Sequence, residues 1–247
     1  MTSRDDILPE AIILAGGLGT RLRPVVGDRP KPLAEIAGRP FLELLFERLI
    51  AAGYGAATLS VGYRAGQIEA RFGDRFGPLA LRYALETEPL GTGGGLRNAL
   101  AATTAEPLLV MNGDSVCAAD LGEFRRHHLA SGAAASLMLA PVAERGRYGV
   151  VDMADDGRVT AFRPRPAVAV AGPGLINAGV YLLSRAVIAA IPQGRAVSLE
   201  TETFPALAET GQLRGWIAGD AAFIDIGTPE SLAAAPEFFG LSPRPPS

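Results

Sequence analysis

The sequence predicts an α/β fold built on a mostly parallel sheet with helices on both faces. Three observations carry this. Unbroken apolar runs such as "AIILA" (11–15) and "PLLVMNGD" (107–114) suit strands buried on both sides. Between them, strand-like and helix-like segments alternate as in β-loop-α units. The first run also ends in glycines, at the carboxyl end of a strand where open α/β sheets hold their ligands.

In order, "AIILA" is the first strand. A turn-rich stretch of about 24 residues follows, punctuated by Gly16, Gly17, Gly19, Pro24, Gly27, Pro30, Pro32 and Gly38; loops of such length without structure of their own are usually functional. "PFLELLFERLIAAG" (40–53) reads as a helix. Pro40 suits its first turn, Leu42, Leu45, Phe46 and Leu49 form one apolar stripe with Glu43 and Glu47 opposite, and Gly53 closes it. A strand at 57–63, a short helix at 65–72, a strand at 79–85, a helix at 93–102 and the strand at 107–114 continue the alternation. "DLGEFRRHHLA" (120–130) is a helix whose His127 and His128 read as surface residues. Beyond residue 133 the chain becomes strand-rich, with "ASLMLAPV", "RYGVVDM", "RVTAFRP" and "LINAGVYLL". Helices near 184–191 and 198–210, a strand near 222–226 and a helix at 229–239 complete it. No internal repeat or linker divides the chain, so one domain is expected over residues 10–240, with an extension at 1–9 and a Pro-rich tail at 241–247. Cys117 and Trp216 read as packing residues.

Composition narrows the function. A net charge of −3 gives no general basic footprint for nucleic acid. No run of about 20 apolar residues is present to span a membrane, and "MTSRDDILPE" has no apolar core of a secretory leader. Cys117 is the sole cysteine, which excludes an internal disulfide and fits a reducing, cytoplasmic setting. A homo-oligomer is left open.

The basic residues are the most informative feature. Of the 23, 22 are arginine and one is lysine, Lys31, held between Pro30 and Pro32 in "DRPKPLAE". The glycine-rich turn "LAGGLGTRLRP" (14–24) lacks both the third small residue of a dinucleotide fingerprint and the Gly-Lys-Ser/Thr of a P-loop. Its backbone N–H groups can still cradle phosphate oxygens. Arg21, Arg23, Arg29 and Lys31 concentrate positive charge there against Asp28 alone. A lysine ammonium is a compact point charge, whereas arginine is a planar fork. A site where charge builds on one phosphoryl oxygen can require the former.

"GGLGTRLRPVVGDRPKPLAEIAGRPFLE" resembles the opening of the sugar-1-phosphate nucleotidylyltransferases, the nucleotide-sugar pyrophosphorylases. "EPLGTGG" (88–94), "NGDS" (112–115), "RYG" (147–149), "NAGVY" (177–181) and "IDIGTPE" (224–230) follow in that family's order, so the resemblance covers roughly residues 10–232. It implies a Rossmann-like three-layer fold with a mostly parallel mixed sheet. It implies an enzyme that joins a nucleoside triphosphate to a sugar 1-phosphate and releases pyrophosphate. The nucleophile is a phosphate oxygen, already anionic at neutral pH because its second pKa is about 6. No general base is required, and none of the usual nucleophile–histidine arrangements is evident.

By the same resemblance, the backbone of Ala15, Gly16, Gly17, Gly19 and Thr20 would cradle the triphosphate. Arg21 would hold the departing pyrophosphate, and Lys31 would sit on the α-phosphate. Asp114 and Asp225 would bind Mg2+. Gly91, Thr92 and Asn112 would help hold the nucleotide. Glu88 could accept the adjacent N1–H and N2–H₂ donors of guanine, with Glu86 the competing candidate. Gly149, Asn177, Gly179 and Glu200 fall on the sugar side. Members of the family carry Phe-x-Glu-Lys-Pro where this chain has "FRPRP" (162–166): Pro164 replaces the glutamate, and Arg165 takes the lysine's place on the sugar phosphate. Within the family, the likeness points to the bacterial D-glycero-α-D-manno-heptose 1-phosphate guanylyltransferases, which serve surface-polysaccharide synthesis. Mannose-1-phosphate guanylyltransferases are the nearest alternative, and uridylyl, cytidylyl or thymidylyl transfer stays open. A non-catalytic nucleotide-sugar-binding regulatory subunit would have no reason to keep Arg21, Lys31, Asp114 and Asp225 together.

Overall fold

The computed structural model describes residues 8–17, 19–146, 148–164 and 171–241. The strands are β1 (Glu10–Leu14), β2 (Glu35–Ile36), β3 (Arg39–Pro40), β4 (Ala56–Val61), β5 (Arg75–Phe76), β6 (Leu79–Leu85), β7 (Leu108–Asn112), β8 (Ser115–Cys117), β9 (Ala135–Val142), β10 (Val150–Met153), β11 (Val159–Arg163), β12 (Gly174–Leu183), β13 (Leu213–Ile217) and β14 (Phe223–Asp225). The helices are α1 (Arg23–Val26), α2 (Phe41–Ala51), α3 (Ala65–Phe72), α4 (Gly91–Ala99), α5 (Leu121–Ser131), α6 (Arg185–Ala189), α7 (Phe204–Glu209) and α8 (Pro229–Phe238).

One large mixed sheet runs β11-β10-β12-β7-β1-β4-β6-β5, with β9 joined to β12 and β13 to β9. Its centre, β7-β1-β4-β6, is parallel. β12 runs antiparallel to both β7 and β9. Alternate residues of the central strands enter opposite cores: Ala11, Ile13, Leu109 and Met111 face one, and Ile12, Leu108 and Val110 the other. That division accounts for the apolar runs without alternation, since both faces are covered. Helices α2, α3, α5 and α8 cover the first face and α4, α6 and α7 the second. α2 alone buries Phe41, Leu42, Leu44, Leu45, Phe46 and Leu49, each worth about 1.5–3 kcal/mol of hydrophobic transfer.

The stretch after β1 is more ordered than expected. α1, a 3-10 turn at Lys31–Leu33 and the β2–β3 hairpin interrupt it. Pro24 and Pro32 each sit in a first helical turn, where a missing N–H costs nothing. β5, β8 and β13 were not expected; the first two have two and three residues, too few for a periodic signal. The histidine reading fails for one of the pair. His127 is exposed, but His128 is buried, its Nδ1 2.7 Å from Ser136 Oγ, because α5 lays that position against β9. Burial, followed by the charges of His127 and Arg125, holds the His128 pKa below its ordinary value. Cys117 and Trp216 do pack, the latter against Phe124 at 5.5 Å between ring centroids.

Candidate active site

β1 has β4 on one side and β7 on the other, so the chain reverses its direction of travel across the sheet there. Crevices open beyond the carboxyl ends of strands at such a point. A cleft of about 440 Å³ lies there, lined by the turn after β1, the end of β7, the 3-10 turn carrying Lys31, and the start of α4. Ala15, Gly16, Gly17, Gly19, Thr20, Arg21, Lys31, Gly91, Thr92, Asn112 and Asp114 all line it. Segments from Leu14 to Gly227, far apart in sequence, are thereby brought to one cavity.

The charged floor is assembled from three segments. Lys31 Nζ lies 2.6 Å from Asp114 Oδ2 and 3.8 Å from Asp225 Oδ1, with 10% of the lysine side chain exposed. β14 pairs antiparallel with β8, matching Asp225 to Ser115, which places Asp225 beside Asp114. The N–H of Gly227 donates to Asp225 Oδ1 and fixes that carboxylate. A cation therefore fits between the two aspartates, since an ammonium already does. Two hard oxygen donors suit magnesium, which takes one or two carboxylates together with phosphates and water. Among the described residues no group of three or more His, Cys, Asp or Glu side chains converges on a metal position. The remaining ligands would come from substrate and solvent.

Glu88 does not line the cleft; Glu86 does. Glu88 is exposed on the connection after β6, whereas Glu86, one residue beyond that strand, is half-buried. Ser60 Oγ donates to Glu86 Oε1 at 2.7 Å, and the Leu90 N–H to Oε2 at 3.2 Å. A Cβ at Gly16 or Gly95 would come within 2.4 or 2.6 Å of Glu86 Oε1, so both positions must be glycine for the carboxylate to lie there. Asn112 Oδ1, buried in the cleft lining, has no hydrogen-bond partner among the described residues, a cost that a ligand donor would relieve.

The expected sugar-side residues form an adjoining cluster. The Asn177 N–H donates to Gly149 O at 3.2 Å, Asn177 Nδ2 to Tyr181 Oη at 2.9 Å, and the Gly179 N–H to Asn177 Oδ1 at 3.0 Å. The β12–β9 register is irregular between Asn177 and Tyr181, and Gly179 has φ +72°. A Cβ at Gly179 would lie 2.6 Å from Ser115 Oγ and 2.9 Å from Asn112 Nδ2. This bend brings the cluster against the cleft wall. Thr92 Oγ1 donates to Glu200 Oε2 at 2.7 Å and accepts from the Leu199 N–H at 2.9 Å, which ties the start of α4 to the segment before α7. Tyr181, which the sequence reading did not single out, bonds both Asn177 and the cleft-lining Asn112. Complete burial, then the nearby Glu200 carboxylate, drives its pKa well above the phenol range; Asp114 adds to this, while bonds to Asn177 and Asn112 oppose it. Arg165 lies outside the described residues. Pro164 is exposed at the end of β11 and offers no hydroxyl contact.

Comparison with known proteins identifies the family. The family model described as Nucleotidyl transferase matches residues 10–240. The chain belongs to that family. This nucleotidyl transferase is 38% identical over 226 residues to the D-glycero-alpha-D-manno-heptose 1-phosphate guanylyltransferase of Aneurinibacillus thermoaerophilus, spanning 92% of this chain and 96% of that one. It is also 38% identical over 240 residues to the mannose-1-phosphate guanylyltransferase of Mycobacterium tuberculosis, spanning 96% of this chain and 66% of the other. Its fold matches the crystal structure of HddC from Yersinia pseudotuberculosis with a TM-score of 0.81 at 35% identity, over 94% of this chain and 100% of that one. The complex of HddC with GMP-PN matches at 0.79 and 34% identity, with the same coverage. The α/β fold and the nucleotidyltransferase class thus stand as expected. No helix among the described residues is long and apolar enough to cross a membrane.

Proposed function

We propose that this nucleotidyl transferase moves GMP from GTP to a sugar 1-phosphate, with D-glycero-α-D-manno-heptose 1-phosphate as the substrate, releasing pyrophosphate. The observation that carries the reading is the meeting of Lys31, Asp114 and the glycine-rich turn in one cleft, with Glu86 on its wall. Supporting it are the two guanylyltransferase relatives and the structure of HddC with a guanine nucleotide analogue.

The reaction joins two polyanions, so positioning and charge neutralisation are what the protein supplies. The sugar phosphate oxygen attacks the α-phosphorus in line while pyrophosphate leaves opposite. The N–H groups of the turn after β1 hold the triphosphate, Arg21 steadies the departing pyrophosphate, and Lys31 neutralises charge on the α-phosphate. Magnesium held by Asp114 and Asp225 would supply further neutralisation of the phosphate oxygens. Glu86 accepts the two adjacent donors on guanine's Watson–Crick edge, a pairing that adenine and the pyrimidines do not offer. Asn177, the Gly149–Gly179 backbone and Glu200 serve the sugar hydroxyls, and Arg165 its phosphate.

Pyrophosphate release, measured over a matrix of five nucleoside triphosphates against heptose, mannose and glucose 1-phosphates, tests the proposal. The highest kcat/KM belongs to GTP with the manno-heptose phosphate. Preference for mannose 1-phosphate corrects the sugar alone. A different preferred base removes the role given to Glu86, and no release with any pair overturns the reading.

A further inference from the structure

We propose that the Lys31 ammonium is a resident counter-ion of the Asp114–Asp225 pair, and that a divalent cation entering between them displaces it into the phosphate-binding part of the cleft. The inference rests on the reading of both aspartates as metal ligands. Lys31 Nζ is 2.6 Å from Asp114 Oδ2, a charge-assisted contact, and 3.8 Å from Asp225 Oδ1. Both carboxylates are thus held toward one cationic position.

The two cations compete for the same oxygens. Magnesium binds carboxylate oxygen at about 2.0–2.1 Å and tolerates little distortion. An ammonium left in place would then face a second cation at near-contact distance, where Coulomb repulsion is steep. Lys31 has somewhere to go, because it lines the same cleft as Thr20 and Arg21. Pro30 and Pro32 flank it, and its backbone lies in a 3-10 turn, so the four-carbon stem makes the move and the main chain stays. Metal entry thereby delivers the α-phosphate cation. Before it, Lys31 holds the two carboxylates together and keeps their repulsion from opening the β8–β14 pair.

Lys31 is the only lysine in the chain, so protein made with ¹³Cε-lysine gives a single side-chain signal. Titration of the nucleotide-free protein with Mg2+ should move that signal to its position in Asp114→Asn, over the same concentration range in which electron paramagnetic resonance detects Mn2+ binding. Lys31→Met, lacking the competing charge, should bind Mn2+ about tenfold more tightly than wild type. Mn2+ bound by wild type with an unmoved lysine signal overturns the exchange and leaves the metal reading intact. Equal or weaker Mn2+ binding by Lys31→Met does the same. Mn2+ bound neither with nor without GTP removes both.

Discussion

Lys31→Arg keeps the charge and changes only its shape, which isolates the question the sequence raises. The ammonium is a single atom 2.6 Å from Asp114 and 3.8 Å from Asp225. A Cβ at Gly227 would stand 3.2 Å from it, so Gly227 closes the space beyond. A guanidinium is a planar fork of three nitrogens. At the end of a longer stem it cannot occupy that point, and its charge would settle away from the α-phosphate. Losing one well-placed donor where charge develops costs about 10²–10³ in kcat, or about 2.7–4 kcal/mol. We expect kcat near the lower figure of that loss, about 10²-fold, because part of the attraction survives. KM for GTP should change little, since the turn after β1 and Arg21 are untouched. A coupled pyrophosphate-release assay reads both constants, and an unaltered circular dichroism spectrum shows that the fold is kept. A kcat within about threefold of wild type, under 1 kcal/mol of barrier, would refute the point-charge reasoning.

Glu86→Gln exchanges a carboxylate for an amide with one acceptor. Losing one hydrogen bond to a charged group is worth about 1.5–3 kcal/mol, so kcat/KM for GTP should fall about 10- to 100-fold relative to that for ITP, which lacks the N2 amino donor. Gly179→Ala forces a left-handed backbone on a residue with Cβ, about 1–2 kcal/mol, and drives that Cβ against Ser115 and Asn112. Urea denaturation should show a loss of at least about 2 kcal/mol, with a raised KM for nucleotide as Asn112 shifts. His128 supplies a pH dependence. Its folded pKa lies below the unfolded value of about 6.5, so the unfolded chain takes up the extra proton. The contribution is complete above about pH 6.5 and is lost as pH falls through the lower folded value. Wild type should therefore exceed His128→Gln in thermal stability at neutral pH, with the gap closing on acidification; a constant gap would exclude the histidine as its source.

Much of the fold was legible because the central strands are buried on both faces and their helices carry one apolar stripe. The strands at 79–85 and 135–142 and the helix at 65–72 fall where expected. The helix expected at 93–102 begins earlier, at Gly91, because "GTGGG" hides its periodicity behind residues without side chains. The β2–β3 hairpin and β8 were not legible, since two- and three-residue strands are made by their partners. Glu86 and Glu88 look alike in sequence. Ser60, the Leu90 N–H and the space left by Gly16 and Gly95 separate them, and all but Leu90 come from other segments.

By itself, the sequence determined the class of chemistry. A glycine-rich turn after a buried strand, one lysine between prolines and two strand-end aspartates are local features, and each acts through its own backbone conformation or charge. Only the tertiary structure decided which acid reaches the cleft, that Lys31 rests on the aspartates, and that Tyr181 bonds both Asn177 and the cleft-lining Asn112. Those relations depend on strand order and on the bend in β12. Both are set by packing between segments far apart in the chain, which no local pattern of residues records.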